Sequence, residues 1–341
     1  MSHREGVLKS LDTKFLQRLK TNANVSREED RRRIIDDLRN RCVNEEGGGS
    51  QREFSRVFMH GDSIVDVPPD LHTNWSVMLR PEGERCLAIL SRGSILTLRG
   101  RNGNVLKTIV LPFFSLDTGV FDCVLGFDES KMKQTLYVFD IVFMNKNELC
   151  MASFDCRQFW LKSNWPFGQS PQLDEVDVPQ IVLLESRSAT AENISTLYHS
   201  SPPFATDSLV FYNNASKYEF GLSDQMLVFR DASLSPYAID TVDAFEVVLN
   251  AKRSGLYTWD GFALSGEPYT GKQGLVRARV NPQFEFTTIG PSRKPFAFSM
   301  NRIIDQARKR IAKGQILVSN NQGLHAILHT DPVSIDLLVS C

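Results

Sequence analysis

The chain has almost no net charge: 39 Lys and Arg stand against 40 Asp and Glu, a formal −1 over 341 residues. No global basic field draws it to a polyanion, so any nucleic-acid contact has to be local. No stretch approaches 18 uninterrupted apolar residues, which excludes a membrane-spanning helix and any membrane partner that needs one. The opening MSHREGVLKS has no apolar segment, so no secretory signal is expected. The six cysteines (42, 86, 123, 150, 156 and 341) form no C-x-x-C pair and no zinc spacing, and the closest two, Cys150 and Cys156, have no histidine beside them. Reduced, mostly buried thiols in an intracellular protein are expected, with no metal and no cofactor. Internal repeats are also lacking.

What is present divides the chain. Residues 1–46 are polar and charged. Val7, Leu8, Leu11, Phe15, Leu16 and Leu19 recur at helical spacing, and Ser26 with Glu29 forms a capping box that should start a second helix. Ile34, Ile35 and Leu38 give that helix an apolar edge. Gly47-Gly48-Gly49-Ser50 reads as a linker, placed at 47–53. From residue 54 the pattern becomes short runs rich in Val, Ile, Leu, Phe and Tyr separated by turn residues, including WSVMLR, RCLAILSR, SILTLRG, VLKTIVL and TLYVFDIVFMN. Arg101-Asn102-Gly103-Asn104 between two of them reads as a hairpin turn. Helices are expected at about 190–199 and at 299–313, the latter closed by Gly314 and packing with a basic outer face; the segment ILVSNNQGLHAILHT reads as a terminal hairpin. The expected fold is α+β with antiparallel sheets: a domain at 54–250 and an extension of unassigned role at 251–341.

Three features of the middle domain occur in a telling order. WSVMLRPEGERCLAIL places R-P-E-G-E-R between two strands, where capping enzymes and nucleic-acid ligases carry K-x-D-G followed by arginine. The lysine of that motif must lose a proton to attack a nucleotide α-phosphate. Here Arg80 stands in its place, and a guanidinium stays protonated and is a poor nucleophile. TLYVFDIVFMN resembles the strand of the third motif, with Asp140 at the acidic position. DSLVFYNNASKY resembles the fourth, with Asp207. Each is weak alone, since R-P-E-G-E-R is most often a charged hairpin turn; order and spacing together carry the reading.

The chain also resembles the snurportin family of import adaptors for spliceosomal small nuclear ribonucleoproteins. The resemblance rests on D-V-P-P-D-L-H-T-N-W (66–75), S-R-G-S (91–94), L-Y-V-F-D-I-V-F (136–143), F-D-C-R-Q-F-W-L-K-S (154–163) and P-F-A-T-D-S-L-V-F-Y (203–212), over about residues 57–232. It implies a nucleotidyltransferase-like cap-binding domain without catalysis and a 2,2,7-trimethylguanosine-capped small nuclear RNA as ligand. It also implies that the N-terminal arm engages an importin-β-type transport receptor, and that the protein shuttles between nucleus and cytoplasm. A methylated guanine is cationic and stacks well on an aromatic face.

Carried over residue by residue, the family's pocket wall falls on Met59, His60, Gly61 and Ser63, with His60 replacing an apolar residue and Ser63 a tryptophan. The position of a cap-reaching lysine falls on Gly100, flanked by Arg99 and Arg101, either of which could meet a phosphate. The stacking residue maps to Phe229 with a one-residue shift, Tyr237 being the fallback. The receptor-binding segment maps to Arg27, Arg31, Arg32, Arg33, Ile34 and Ile35, with a solvated helix face, diluted by interleaved acids, as the alternative. Phe229 in an alternating strand reads equally as core, and Arg99 and Arg101 as a solvated hairpin tip. Two rival functions stay open: a divergent guanylyltransferase or ligase, and an interaction scaffold that keeps the fold without the pocket.

Overall fold

The computed structural model describes residues 27–43, 54–91, 94–111, 118–165, 178–239, 244–264, 268–281, 284–294, 296–315 and 330–340. The expected helix at 7–19, the capping serine at 26, the linker at 47–53 and most of the terminal hairpin at 316–330 lie outside these residues. The described residues form two units: one within 27–60 and 70–226, the other within 61–69 and 227–340.

The larger unit is built on strands. A six-stranded sheet runs in the order β5 (Val105–Val110), β4 (Ile95–Gly100), β3 (Glu84–Ser91), β6 (Gly119–Asp128), β7 (Lys133–Met144) and β8 (Gln180–Leu183). Its pairings are antiparallel except β7 with β8, which is parallel and departs from the all-antiparallel expectation. β3 shows why the runs in this region are continuously apolar. Leu87 and Ile89 enter one hydrophobic cluster, while Cys86, Ala88 and Leu90 enter another. Successive side chains of a strand point to opposite faces, so a sheet covered on both sides reads as an unbroken apolar run.

The first of those clusters is closed by a second sheet. It has five strands in the order β1 (Met59–Ser63), β11 (Gly221–Phe229), β10 (Thr206–Asn213), β2 (Trp75–Pro81) and β9 (Arg187–Ser188). Met78 of β2 and Val210 and Tyr212 of β10 lie in the same cluster as Leu87 and Ile89. Helix α1 (Arg27–Val43) contributes Ile35 and Leu38, both buried there. The second cluster takes in Leu161 of helix α2 (Phe154–Ser163). Helix α3 (Ala191–Tyr198) starts where the sequence places it, with the Thr190 side chain accepting from the Asn193 N–H at 3.2 Å.

The C-terminal unit carries a four-stranded antiparallel sheet in the order β13 (Gly255–Tyr257), β12 (Glu246–Lys252), β14 (Gly274–Val280), β15 (Phe286–Pro291). Val247, Leu249, Val276 and Ala278 pack with Ile303 and Ala307 of helix α4 (Met300–Ala312). Ser299 caps α4 by accepting from the Arg302 N–H (3.2 Å), and Gly314, at φ 67°, ends it in the left-handed conformation. The expected basic outer face of this helix is corrected. Arg308 and Arg310 are buried, Lys309 donates to Asp305 at 2.7 Å, and Arg302 lies 4.1 Å from the centre of the Phe298 ring.

Candidate functional site

The R-P-E-G-E-R segment joins two sheets. β2 belongs to the five-stranded sheet and β3 to the six-stranded one, so Pro81 to Glu84 is a crossover, not the hairpin turn that its composition suggests. Gly83, at φ 153°, is demanded by space: a Cβ there would come within 2.4 Å of the Leu125 carbonyl oxygen. Arg80 ends up opposite Ser208 on β10. Its guanidinium is paired with the carboxylate of Asp207, which also accepts from the Ser208 hydroxyl at 2.9 Å. The two motif residues singled out from sequence thus meet as an ion pair, a stable cation without a deprotonable amine.

Asp140 has a different fate. On β7 it receives two hydrogen bonds from Arg157 of α2, at 2.8 and 2.9 Å, with both side chains wholly buried. The same guanidinium donates to the carbonyls of Ala152 (2.8 Å) and Ser216 (2.9 Å). Asp140 is therefore a sealed structural anion. Opposite it in the β6–β7 register, Asp122 receives Arg85 at 2.6 and 3.0 Å, together with the hydroxyl of Tyr218. Burial alone would lower the Arg85 guanidinium, yet Asp122 beside it holds it above the ordinary arginine range. Burial, with Asp122 adding to it, pushes the Tyr218 phenol well up, so it donates as a neutral hydroxyl.

This second network grips the expected pocket wall. The Met59 carbonyl accepts from Arg85 at 2.6 Å, and the Met59 N–H donates to the Tyr218 hydroxyl at 3.1 Å. The Phe58 ring lies 5.5 Å from the Arg85 guanidinium. β1 is thus fixed at its start by a buried, charge-assisted clamp. In the C-terminal unit the following residues are held as firmly. Asp62 accepts from Ser299 Oγ (2.6 Å), Asn301 Nδ2 (2.9 Å) and the Ser63 N–H (3.0 Å).

Of the residues expected to touch a ligand, Met59 and His60 are buried, while Gly61 and Ser63 are half-buried. Arg99 donates to the Gly103 carbonyl at 3.0 Å and so braces its own hairpin. That hairpin tip is not simply solvated: a Cβ at Gly103 would meet Phe54 at 3.2 Å, and Arg41 lies 5.2 Å from the Phe54 ring. Arg101 is half-buried. Phe229 is only 2 % exposed, whereas Tyr237 is 57 % exposed. In the arm, Arg32 and Arg33 are exposed, Arg31 and Ile34 are half-buried, and Ile35 faces the core; the Arg27 side chain lies outside the described ones.

The sequence reading missed Arg85, Asp122, Arg157 and Tyr218. A signal existed for one of them, Asp122: an aspartate in the middle of an apolar run such as VFDCVL cannot be buried without a cationic partner, though the run does not say which. Among the described residues no group of three or more His, Cys, Asp or Glu could hold a metal ion.

Residues 57–230 match the family model described as Snurportin1, m3G cap-binding domain. The chain belongs to this family. The family domain thus spans β1 to the end of β11, including Arg80, Asp207 and both buried ion pairs. Solved structures similar to the chain include the ligase domain of M. tuberculosis LigD, at 12 % identity and a TM-score of 0.35 over 70 % of this chain and 74 % of that one. Another is a Lig E DNA ligase, at 12 % identity and 0.32 over 68 % and 98 %. A mycobacterial DNA ligase D complexed with ATP and MES gives 12 % and 0.36 over 70 % and 97 %. Similarity of that degree assigns no function to a snurportin-family chain.

Proposed function

We propose that this protein binds the trimethylguanosine cap of small nuclear RNA, performs no chemistry on it, and serves as an adaptor for nuclear import. The observation that carries the reading is Arg80 paired with Asp207, at the place where related enzymes hold a nucleophilic lysine, inside a domain of the cap-binding family. A guanidinium there can hold a phosphate and cannot form a nucleotidyl adduct. β1 supplies a rigid wall, since Arg85 and Tyr218 fix Met59 by its backbone. Tyr237, with its ring accessible, is better disposed than buried Phe229 to stack on the methylated guanine.

The adaptor half rests on the arm. Arg32 and Arg33 offer an exposed basic face to an importin-β-type receptor, whereas Ile35 serves the core. Shuttling between nucleus and cytoplasm follows from that role.

The test is a parallel calorimetric titration with trimethylguanosine cap dinucleotide, monomethyl cap and GTP, alongside incubation with GTP or ATP and a divalent cation. Preference for the trimethyl cap without a covalent adduct is expected. An adduct would instead make the protein an enzyme. Binding to none of the three would favour the scaffold reading, for which the burial of Phe229 is the specific argument.

A further inference from the structure

The charge of the chain is not evenly spread. Residues 57–230, the family domain, hold 14 Lys and Arg against 20 Asp and Glu, a net −6. Residues 247–313 hold 12 against 4, a net +8. A negatively charged domain that takes a capped RNA gains nothing from its own field for the phosphates behind the cap. Beyond single cations such as Arg80, the phosphates further along the RNA need cations from elsewhere.

The structure shows which of the C-terminal cations are available. Those of α4 are largely spent on packing, with Arg308 and Arg310 buried and Lys309 bound to Asp305. The strands differ. In β14 Val276, Ala278 and Val280 are buried, so the alternate residues Arg277 and Arg279 stand on the opposite face, exposed at these two positions although Val248, opposite Arg277 on β12, is buried. Their side chains are 51 % and 60 % exposed. Register places Glu246 opposite Arg279 on β12, and Lys252, three pleats along, shares their face. Tyr257 of β13 also shares it, opposite Asn250, with the Lys252 ammonium 5.0 Å from its ring. On the other side Arg277 faces Gly290, which has no side chain, and a Cβ there would meet nothing within 4 Å. Glu246 is shared between Arg277 at 3.8 Å and Arg279 at 3.5 Å. One acid cannot neutralise two guanidiniums, and Lys252 adds a further charge.

We infer that this sheet face of the C-terminal unit binds the phosphate backbone of single-stranded RNA, with Arg277, Arg279 and Lys252 as the contacts. Its role is to hold the RNA that follows the cap, so the inference deepens the cap-binding reading. Two arginines at alternate positions of one strand stand about 7 Å apart, and their forked donors suit phosphate oxygens. Tyr257 adds a face on which a base can stack.

The experiment uses the full chain and three RNAs: the trimethylguanosine cap dinucleotide, a capped 12-nucleotide RNA, and the same RNA uncapped. The wild type is expected to bind the capped 12-mer at least tenfold more tightly than the dinucleotide, with a steeper salt dependence. The double variant R277A/R279A should lose that gain and flatten the log–log salt slope by about 1.4, at about 0.7 per phosphate on a single strand. Its dinucleotide affinity should be unchanged. E246Q, which frees both arginines, should raise the gain about threefold, a direction that loss of folding cannot produce. Equal binding of dinucleotide and 12-mer by the wild type, or an undiminished gain in R277A/R279A, would overturn the inference and leave cap binding intact; the face would then suit an acidic protein instead. Arginine-dependent binding of the uncapped RNA with no cap affinity would do the reverse.

Discussion

Two arginine–aspartate pairs in the larger unit use the same chemistry in opposite settings. Arg157 and Asp140 are sealed at 0 % exposure, and the guanidinium spends its remaining donors on two backbone carbonyls. Arg80 and Asp207 sit where water reaches both, at 14 % and 13 %. In the first pair neither charge can be lost without stranding the other in the core. In the second each charge keeps some access to solvent. Both aspartates lie in the same family domain, so burial, not sequence, separates the sealed anion from the one that water still reaches.

The sharpest way to break this contrast is to remove the charge of Asp140. Asp140→Asn leaves Arg157 buried and unpaired, and a loss of about 3–5 kcal/mol in unfolding free energy is expected. Denaturant unfolding followed by circular dichroism measures it. A loss below about 1 kcal/mol would mean that water reaches the pair after all and that its sealed character is wrong.

The same test of burial applies to the two aromatic residues weighed for stacking. Phe229→Ala should cost about 3–5 kcal/mol of stability by opening a cavity. Tyr237→Ala should stay within about 0.5 kcal/mol in stability, yet weaken cap binding by about 1–3 kcal/mol if its ring stacks on the guanine. Thermal unfolding and calorimetric titration of both variants decide it. The opposite pattern, with Phe229→Ala stable and unable to bind, would return the stacking role to Phe229.

The arm offers a third comparison within one helix. Ile35→Ala removes a buried side chain of the main cluster and is expected to cost about 2–4 kcal/mol. Arg32→Ala with Arg33→Ala should leave stability unchanged and reduce capture by an importin-β-type receptor in a pull-down. If the double variant binds the receptor as well as wild type, the exposed face of α1 is only solvated.

Much of the fold was legible because local rules and packing agree. Thr190 and Ser299 cap the helices they were expected to start, Gly314 ends one, and Arg101–Asn104 turns a hairpin. That position 80 holds an arginine could also be read directly. What could not be read depends on contacts distant in sequence. Asp140 finds Arg157 on a helix, and Asp122 finds Arg85 and Tyr218, 37 and 96 residues away. R-P-E-G-E-R has the composition of a hairpin turn, and only the pairing of β2 with β10 and β3 with β6 shows that it crosses between sheets. Likewise, α4 is basic in sequence, but packing turns Arg308 and Arg310 inward.

Of the two ion pairs, the smaller effect is expected at Arg80. Arg80→Met breaks a pair that is mostly buried yet still reached by water, so unfolding free energy should fall by about 1–3 kcal/mol, less than for Asp140→Asn. Asp207 keeps the Ser208 hydroxyl and solvent as partners. If Arg80 also meets the phosphates behind the cap, the variant should lose affinity for the cap dinucleotide while the affinity for the methylated nucleoside stays the same. The two titrations separate the phosphate from the base. A variant that unfolds as readily as Asp140→Asn would show that Arg80 belongs to the core and that the two pairs do the same work. A stable variant with unaltered affinity for both ligands would leave Arg80 as a replacement that disables a nucleophile and takes no part in binding.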